Sequence, residues 1–301
     1  MLPAYPCFEP LRLEHREAVS ALLREEQPDA SELTFTNLFM WRQHYRFRLC
    51  EHSGYLLVVA QLPGGEPFLL PPVGAKAGGV VRELLARPEA ARLISRVSEG
   101  YLARHGLSDL LAGERTEAEA AEERDQADYV YLVDDLIRLE GNRYGGKRNH
   151  LKRFRKLYRW EYRELTADLV PECLKLEEDW CRVRVCPRQL GLEAERVAIW
   201  EALENIGRLG YAGGAILVEG RLEAFSLGEG LNEECAVIHI EKANPEMEGI
   251  YPAINQLFLE RALASYRFIN REQDLGDAGL RKSKMSYHPR HLVRKFSLRA
   301  K

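Results

Sequence analysis

Two stretches of this chain gather side chains able to bind a substrate and to move protons. One is Glu241-Lys242-Ala243-Asn244, directly after the apolar run Ala236-Val237-Ile238-His239-Ile240. The other is Asn270-Arg271-Glu272-Gln273-Asp274, directly after Phe268-Ile269. Carboxylates beside cations and amides suit the transfer of an acyl group. A base removes a proton from the attacking nucleophile, and donors stabilise the carbonyl oxygen as it gains charge. Glu241 and Glu272 are the candidates for orienting or deprotonating an amine, and Asn270 sits where the reacting carbonyl is expected. Asn244, Arg271 and Asp274 are candidate substrate contacts. No Ser-His-Asp or Cys-His device is visible, and His239, inside a strand, is expected to be a satisfied core histidine. The competing reading is an internal salt-bridge cluster that ties strand ends to the following helices, since structural ion networks gather the same residue types.

The elements that must hold these groups are legible. Both runs read as strands that turn polar at their C-terminal ends, the place where α/β proteins line a ligand crevice. A predicted helix follows each. In the first, over 251–266, Tyr251 and Asn255 are four apart and share a face; in the second, over 278–287, Arg281 and Lys284 are three apart. All four are candidate substrate contacts. A basic helix reads Lys147-Arg148-Asn149-His150-Leu151-Lys152-Arg153-Phe154-Arg155-Lys156-Leu157-Tyr158-Arg159. Leu151, Phe154 and Tyr158 fall on one face, and Arg148, Lys152, Arg155 and Arg159 on another. That charged face is either a solvated surface or a phosphate track, with Lys152, Arg155 and Arg159 as polyanion contacts. Tyr144-Gly145-Gly146 before it forms a turn able to bring Lys147 and Arg148 to the site, because glycine permits close backbone approach. Tyr144, Lys147 and Arg148 therefore join the substrate-binding candidates. So does Asn37, which shares a predicted helix face with Trp41, itself expected in the core.

The chain has 301 residues, 46% of them hydrophobic, enough for two domains with full cores. The net charge of −3 hides local asymmetry: residues 141–160 hold eight Lys or Arg and no acid, and so do residues 281–301. Such faces favour a polyanionic ligand over general nucleic-acid binding. The N-terminal residues do not read as a signal peptide, and no run approaches the ~18 apolar residues of a membrane span. A soluble, cytoplasmic protein is expected. Its six cysteines are scattered, without metal-ligand spacing, so no metal is expected and the thiols are expected to be reduced.

The first half reads as a strand, helices over 16–26 and 32–44, a hairpin over 46–50 and 55–61, a strand at 68–70, a helix over 90–105 and a strand at 129–133. The second half repeats this order: the basic helix, a strand at 160–164, helices over 169–183 and 192–209, a meander over 214–240, a helix, a strand, a helix and a last strand over 292–299. The order matches the acyltransferase fold known as GNAT. The expected architecture is α/β with mixed sheets, as two tandem GNAT-like domains over 1–140 and 141–301.

Longer motifs sharpen the resemblance. They are Phe35-Thr36-Asn37-Leu38-Phe39-Met40-Trp41 with Tyr45, the segment from Tyr129 to Leu136 leading to Gly141-Asn142-Arg143-Tyr144-Gly145-Gly146-Lys147, the segment from Glu241 to Gln256, and the segment from Asn270 to Tyr287. Together they resemble a bacterial family grouped with the C-terminal domain of phosphatidylglycerol lysyltransferases. The resemblance implies a transferase related to Fem-type enzymes, with aminoacyl-tRNA as the favoured donor and a lipid headgroup, a peptide amine or a small metabolite as acceptor. The alternatives are an acyl-CoA-dependent N-acyltransferase and a non-catalytic polyanion-binding module. Coenzyme A fits poorly. Where GNAT acetyltransferases hold its pyrophosphate on a glycine-rich turn, this chain has Pro245-Glu246-Met247-Glu248-Gly249, whose two acids would repel it.

Overall fold

The computed structural model describes residues 2–87, 92–112, 118–184 and 190–301. Its strands are β1 (Glu9–Pro10), β2 (Arg48–His52), β3 (Tyr55–Ala60), β4 (Phe68–Leu69), β5 (Leu93–Ser98), β6 (Ala118–Glu122), β7 (Asp128–Leu132), β8 (Trp160–Glu164), β9 (Ala212–Val218), β10 (Arg221–Gly230), β11 (Cys235–Ala243), β12 (Phe268–Asn270), β13 (His291–Val293) and β14 (Lys295–Ala300). The chain divides into two compact units. Unit 1 comprises Met1–Tyr129, Gln273–Lys282 and His291–Lys301; unit 2 comprises Val130–Glu272 and Ser283–Arg290.

In unit 1 the hydrogen-bonded order is β1-β2-β3-β4-β5-β14-β6. The β2–β3 hairpin turns through Ser53 and Gly54, both at positive φ, the backbone of a type I′ turn. β4 and β5 are parallel, and β14 lies antiparallel between β5 and β6. The strands that belong to unit 2 run in the order β7-β12-β11-β10-β9-β8. β8 to β11 form an antiparallel meander, β11 and β12 are parallel, and β7 is antiparallel to β12. Each sheet thus has a meander, a parallel pair and then an antiparallel strand, beyond which unit 1 adds β6. Unit 1 takes that last strand from the end of the chain, and unit 2 takes it from the segment before the basic helix. The single boundary expected near residue 140 is corrected accordingly: the first division falls at Tyr129/Val130, and the C-terminal strand returns to unit 1 because β5 and β6 both pair with it.

The helix expected over 90–105 is also corrected. Its first residues lie outside the described ones; the rest is β5 followed by a helix at Glu99–Arg104. Arg96 has φ +64°, and the β5–β14 register slips by one residue between Phe296 and Leu298. This bulge puts Ile94 and Val97, three apart, both in the core, so a strand carries helical spacing. Ser98 accepts from the Tyr101 N–H and starts the helix. Other elements match closely. Arg16–Glu26 is a helix, and the expected helix over 32–44 forms as Phe35–Met40 and Arg42–Tyr45. The basic helix spans Gly145–Leu157, burying Leu151 and Phe154.

β11 and β12 pair only over Cys235–Val237 and Phe268–Asn270. β11 then runs on to Ala243 beside β10 while β12 ends, so unit 2's sheet opens at this point. Glu241 and Lys242 are neighbours on β11 and point to opposite faces, while the β10–β11 register slips between Leu227 and Gly228, opposite His239. Helix Ile250–Phe258 begins at Gly249 (φ +81°), buries Ile254, Leu257 and Phe258, and carries a buried amide, Asn255. No described helix is long and apolar enough to cross a membrane.

Candidate active site

At the opening, the Glu241 carboxylate accepts from Arg271 Nη2 at 3.0 Å and from Asn255 Nδ2 at 2.8 Å. Strand β11, the end of β12 and the helix after β11 thus converge on one carboxylate. Arg271 lies 4.8 Å from the centre of the Tyr287 ring and 5.7 Å from that of Tyr131. Its Nη1 is buried without a hydrogen-bond acceptor. Burial opposes its charge, but Glu241 and the two tyrosines outweigh this and raise its pKa. Burial lifts the Tyr287 hydroxyl to about 12. Lys147 Nζ stands 3.7 Å over the same Tyr287 ring. Burial, then the charge of Arg271, lower its pKa to about 8 against the pull of Glu241. Tyr144 fixes this arrangement, donating from its buried hydroxyl to the Tyr287 carbonyl at 3.1 Å. Glu241, Arg271, Asn255, Lys147 and Tyr144 are therefore brought together. Tyr287 and Tyr131 complete the group; the sequence signalled Tyr287 only as part of a motif.

The other candidates have different surroundings. Glu272 Oε1 bonds His239 Nδ1 at 2.8 Å, and Glu229 bonds Nε2 at 3.0 Å. Burial opposes protonation of His239, but the two carboxylates prevail and raise it to about 9. It is an imidazolium clamped between acids, the satisfied histidine expected of a strand interior. Asn270 is fully buried and accepts from the Glu272 N–H at 2.8 Å, a turn that lets Glu272 adopt φ +58°. Lys284 donates to the carbonyls of Arg271 and Glu272, securing the same turn. Arg148 donates to the carbonyls of Leu139 and Gly141 and so pins the turn before its own helix. Arg155 donates to Gln256, whereas Lys152 and Arg159 are exposed.

Asn244 donates to Glu223 at 2.9 Å and lines a cavity of about 440 Å³ with Glu172, Lys175, Trp180 and Arg221. Tyr251 accepts from the Trp180 indole N–H at 3.0 Å. Beside them, Lys242 lies over the Trp180 ring at 3.6 Å and pairs with Glu195 at 2.9 Å and Glu177 at 3.6 Å. Burial raises Glu177 to about 7. Sequence reading missed Trp180 and Glu177, which share one helix with no strand-end signal.

Asp274 and Arg281 belong to unit 1, as a buried carboxylate and its bidentate partner at 2.8 Å. Asp274 also accepts from Tyr129 and the Gly276 N–H. Burial opposes its charge, yet these donors hold it well below the usual carboxylate range. Asn37 is buried in the helix Phe35–Met40 of unit 1, where its N–H caps onto Thr34. Among the described residues no group of three His, Cys, Asp or Glu side chains is placed to hold a metal. Cys181 is disulfide-bonded, a correction to the expected reduced thiols, and Cys186 lies outside the described residues.

Comparison with known proteins adds family and fold. Among curated proteins, none matches the sequence. A conserved protein of unknown function from Bacteroides thetaiotaomicron is 34% identical, with each chain covered in full and a TM-score of 0.89. L-PGS from Bacillus licheniformis is 15% identical, with 97% of this chain and 92% of that one covered and a TM-score of 0.65. FemX is 11% identical, with coverage of 97% and 96% and a TM-score of 0.56. The last two likenesses carry the fold, which is the expected pair of GNAT-like units. Family and fold together are those of transferases of the aminoacyl or acyl type. The family model described as phosphatidylglycerol lysyltransferase, C-terminal, matches residues 24–299, and the chain belongs to that family.

Proposed function

We propose that this protein transfers an aminoacyl group from aminoacyl-tRNA to an amine or hydroxyl acceptor at the opening between β11 and β12. The observation that carries this reading is the Glu241–Arg271–Asn255 group, in which a buried guanidinium keeps one N–H without an acceptor. In the transfer, the acceptor nucleophile attacks the ester carbonyl. The new bond forms at the carbonyl carbon, the bond to the terminal ribose oxygen breaks, and negative charge gathers on the carbonyl oxygen in between. Arg271 supplies fixed positive charge for that oxygen. Glu241 takes the nucleophile's proton, which ends on the departing ribose oxygen. Glu272 and Asn270 serve by shaping the end of β12. Asn244 and Tyr251 line the approach of the acceptor. Lys152, Arg155 and Arg159 follow the phosphates of the donor.

The turn after β11 supports tRNA over coenzyme A. The N–H groups of Glu246, Met247 and Glu248 already bond Asn244 Oδ1, the Asn244 carbonyl and the Tyr158 hydroxyl. They are not free to cradle a pyrophosphate. The phosphatidylglycerol lysyltransferase name of the family supports a lipid headgroup among the acceptors to be tried.

The test incubates the protein with tRNA charged with labelled amino acids and with pools of lipids, peptides and small amines. Label leaving the tRNA and reaching one acceptor is expected, and loss of that transfer in Glu241→Gln with an unchanged circular dichroism spectrum. Transfer from labelled acetyl-coenzyme A alone, or none from any charged tRNA, would overturn the reading.

A further inference from the structure

We infer that the opening in unit 2 holds a subsite for a phosphate-type oxyanion, bound by Lys147 and Arg271 beside the Tyr287 ring. The inference rests on the proposed transfer site but names what that site must recognise before any chemistry. Two cations share one aromatic ring: the Lys147 ammonium is 3.7 Å from its centre and the Arg271 guanidinium carbon 4.8 Å. One carboxylate, Glu241, serves them both, and it is already held by Arg271 and Asn255. The group therefore carries one positive charge more than it neutralises. Such an excess in a half-buried place is unfavourable in water's absence and is relieved by an incoming anion.

Three further facts agree. Lys147 makes no hydrogen bond or ion pair among the described residues, so its ammonium is free to turn to a ligand. Burial and then the charge of Arg271 lower its pKa to about 8 against the pull of Glu241, so it still carries its proton at neutral pH. A bound anion reverses that balance. The helix that presents Lys147 begins without a side-chain cap and without an acid in its first turn, and a Cβ at Gly146 would meet nothing within 4 Å. The start of the helix thus leaves room and adds a favourable field.

Phosphate is favoured over carboxylate because its several oxygens can accept from both cations together. A phosphodiester of the donor and a phosphate of the acceptor share this chemistry.

The experiment follows the Lys147 side chain by NMR, with labelled lysine assigned from a Lys147→Gln variant. The full-length protein is titrated with inorganic phosphate, with dimethyl phosphate and with acetate. Phosphate is expected to shift the Lys147 signal saturably and to raise its pKa by about one unit or more. Binding should weaken at least tenfold as pH rises past 9, where the ammonium is lost. Lys147→Gln should abolish it, and Lys76→Gln, at an exposed lysine of unit 1, should leave it intact. Saturation by dimethyl phosphate assigns the subsite to a diester, and by inorganic phosphate alone to a monoester. An unmoved Lys147 signal at tens of millimolar phosphate would sink the inference, as would equal binding in Lys147→Gln or a preference for acetate. The readout needs no transfer activity, so the subsite and the proposed reaction can fail separately.

Discussion

At the scale of single residues, charge partners divide those that shape the site from those left for chemistry. His239 is the clearest shaping residue. Its folded pKa of about 9 lies above the ordinary 6.5, so the folded state holds its proton more tightly than the unfolded chain does. Its contribution is fully present below pH about 6.5 and is lost as pH rises through about 9, up to about 3 kcal/mol in all. Lys147 has the opposite sign, since its lowered pKa makes stability rise with pH between about 8 and its ordinary value near 10.5. Urea denaturation of wild type and His239→Gln across pH 6–9.5 separates the two. The difference between them should shrink steadily as pH rises, and a constant difference would show that His239 is not an imidazolium in the fold. Lys295 plays a comparable part in unit 1. Its fully buried amine pairs with Glu32 at 2.6 Å and Asp128 at 2.7 Å. Lys295→Met leaves two buried carboxylates short of a cation, which should cost about 3–5 kcal/mol. A loss under 1 kcal/mol by denaturation would mean that Arg96 and Ser31 already satisfy them.

Elements show where a sequence speaks and where it falls silent. Gly249 starts the helix Ile250–Phe258 at φ +81°, and a Cβ there would lie 2.3 Å from the His150 carbonyl oxygen. Gly249→Ala therefore meets both a strained backbone and a rigid neighbour, and should destabilise by at least about 2 kcal/mol. Gly146→Ala, in the open first turn of the basic helix, should be neutral or stabilise by up to about 1 kcal/mol. Equal midpoints for the two variants in a thermal melt would contradict this account. The helices over 16–26 and 145–157 and the strands of the meander were legible because their apolar periods are regular. β5 was not, since the bulge at Arg96 turns a period of two into a spacing of three. β6, with sequence Ala-Glu-Ala-Ala-Glu, carries no strand pattern and exists by pairing with β14. Glu241 and Arg271 were legible as polar groups at strand ends, and Asn255 as an amide sharing a helix face with Tyr251. The surroundings of Glu272 and Asp274 were not, because Glu229, His239 and Tyr129 lie far away in sequence and only the folded chain brings them near.

Across the whole molecule, two properties follow from where the chain sends its ends and its charge. Net charge is only −3, yet residues 141–160 are acid-free, so a field that guides a polyanion can be built locally along that helix. Reversing Lys152 and Arg159 to Glu should reduce the slope of log affinity for tRNA against log salt by about 2. An unchanged slope would make the helix face a solvated surface. The return of the C-terminal strand has a larger consequence. β14 lies between β5 and β6, pairing with both and carrying Lys295, Phe296 and Leu298 into unit 1's core. Deleting residues 295–301 removes two ladders of hydrogen bonds at once and strips the buried carboxylates of Lys295. The strands it leaves, β5 and β6, cannot pair with each other without a shift of the whole sheet. Unit 1 should therefore lose its cooperative fold, although the missing segment is only the last seven residues of the chain. Amide hydrogen exchange read by mass spectrometry is the check. Peptides covering β5, β6 and the helix Glu99–Arg104 should exchange within seconds in the truncated chain, against hours in the intact one. Peptides from β9 to β11 provide the reference for unit 2, whose sheet takes its antiparallel partner from β7. Full protection of β5 after truncation would show that the first 129 residues complete their own sheet, and the strand return would then be dispensable to unit 1.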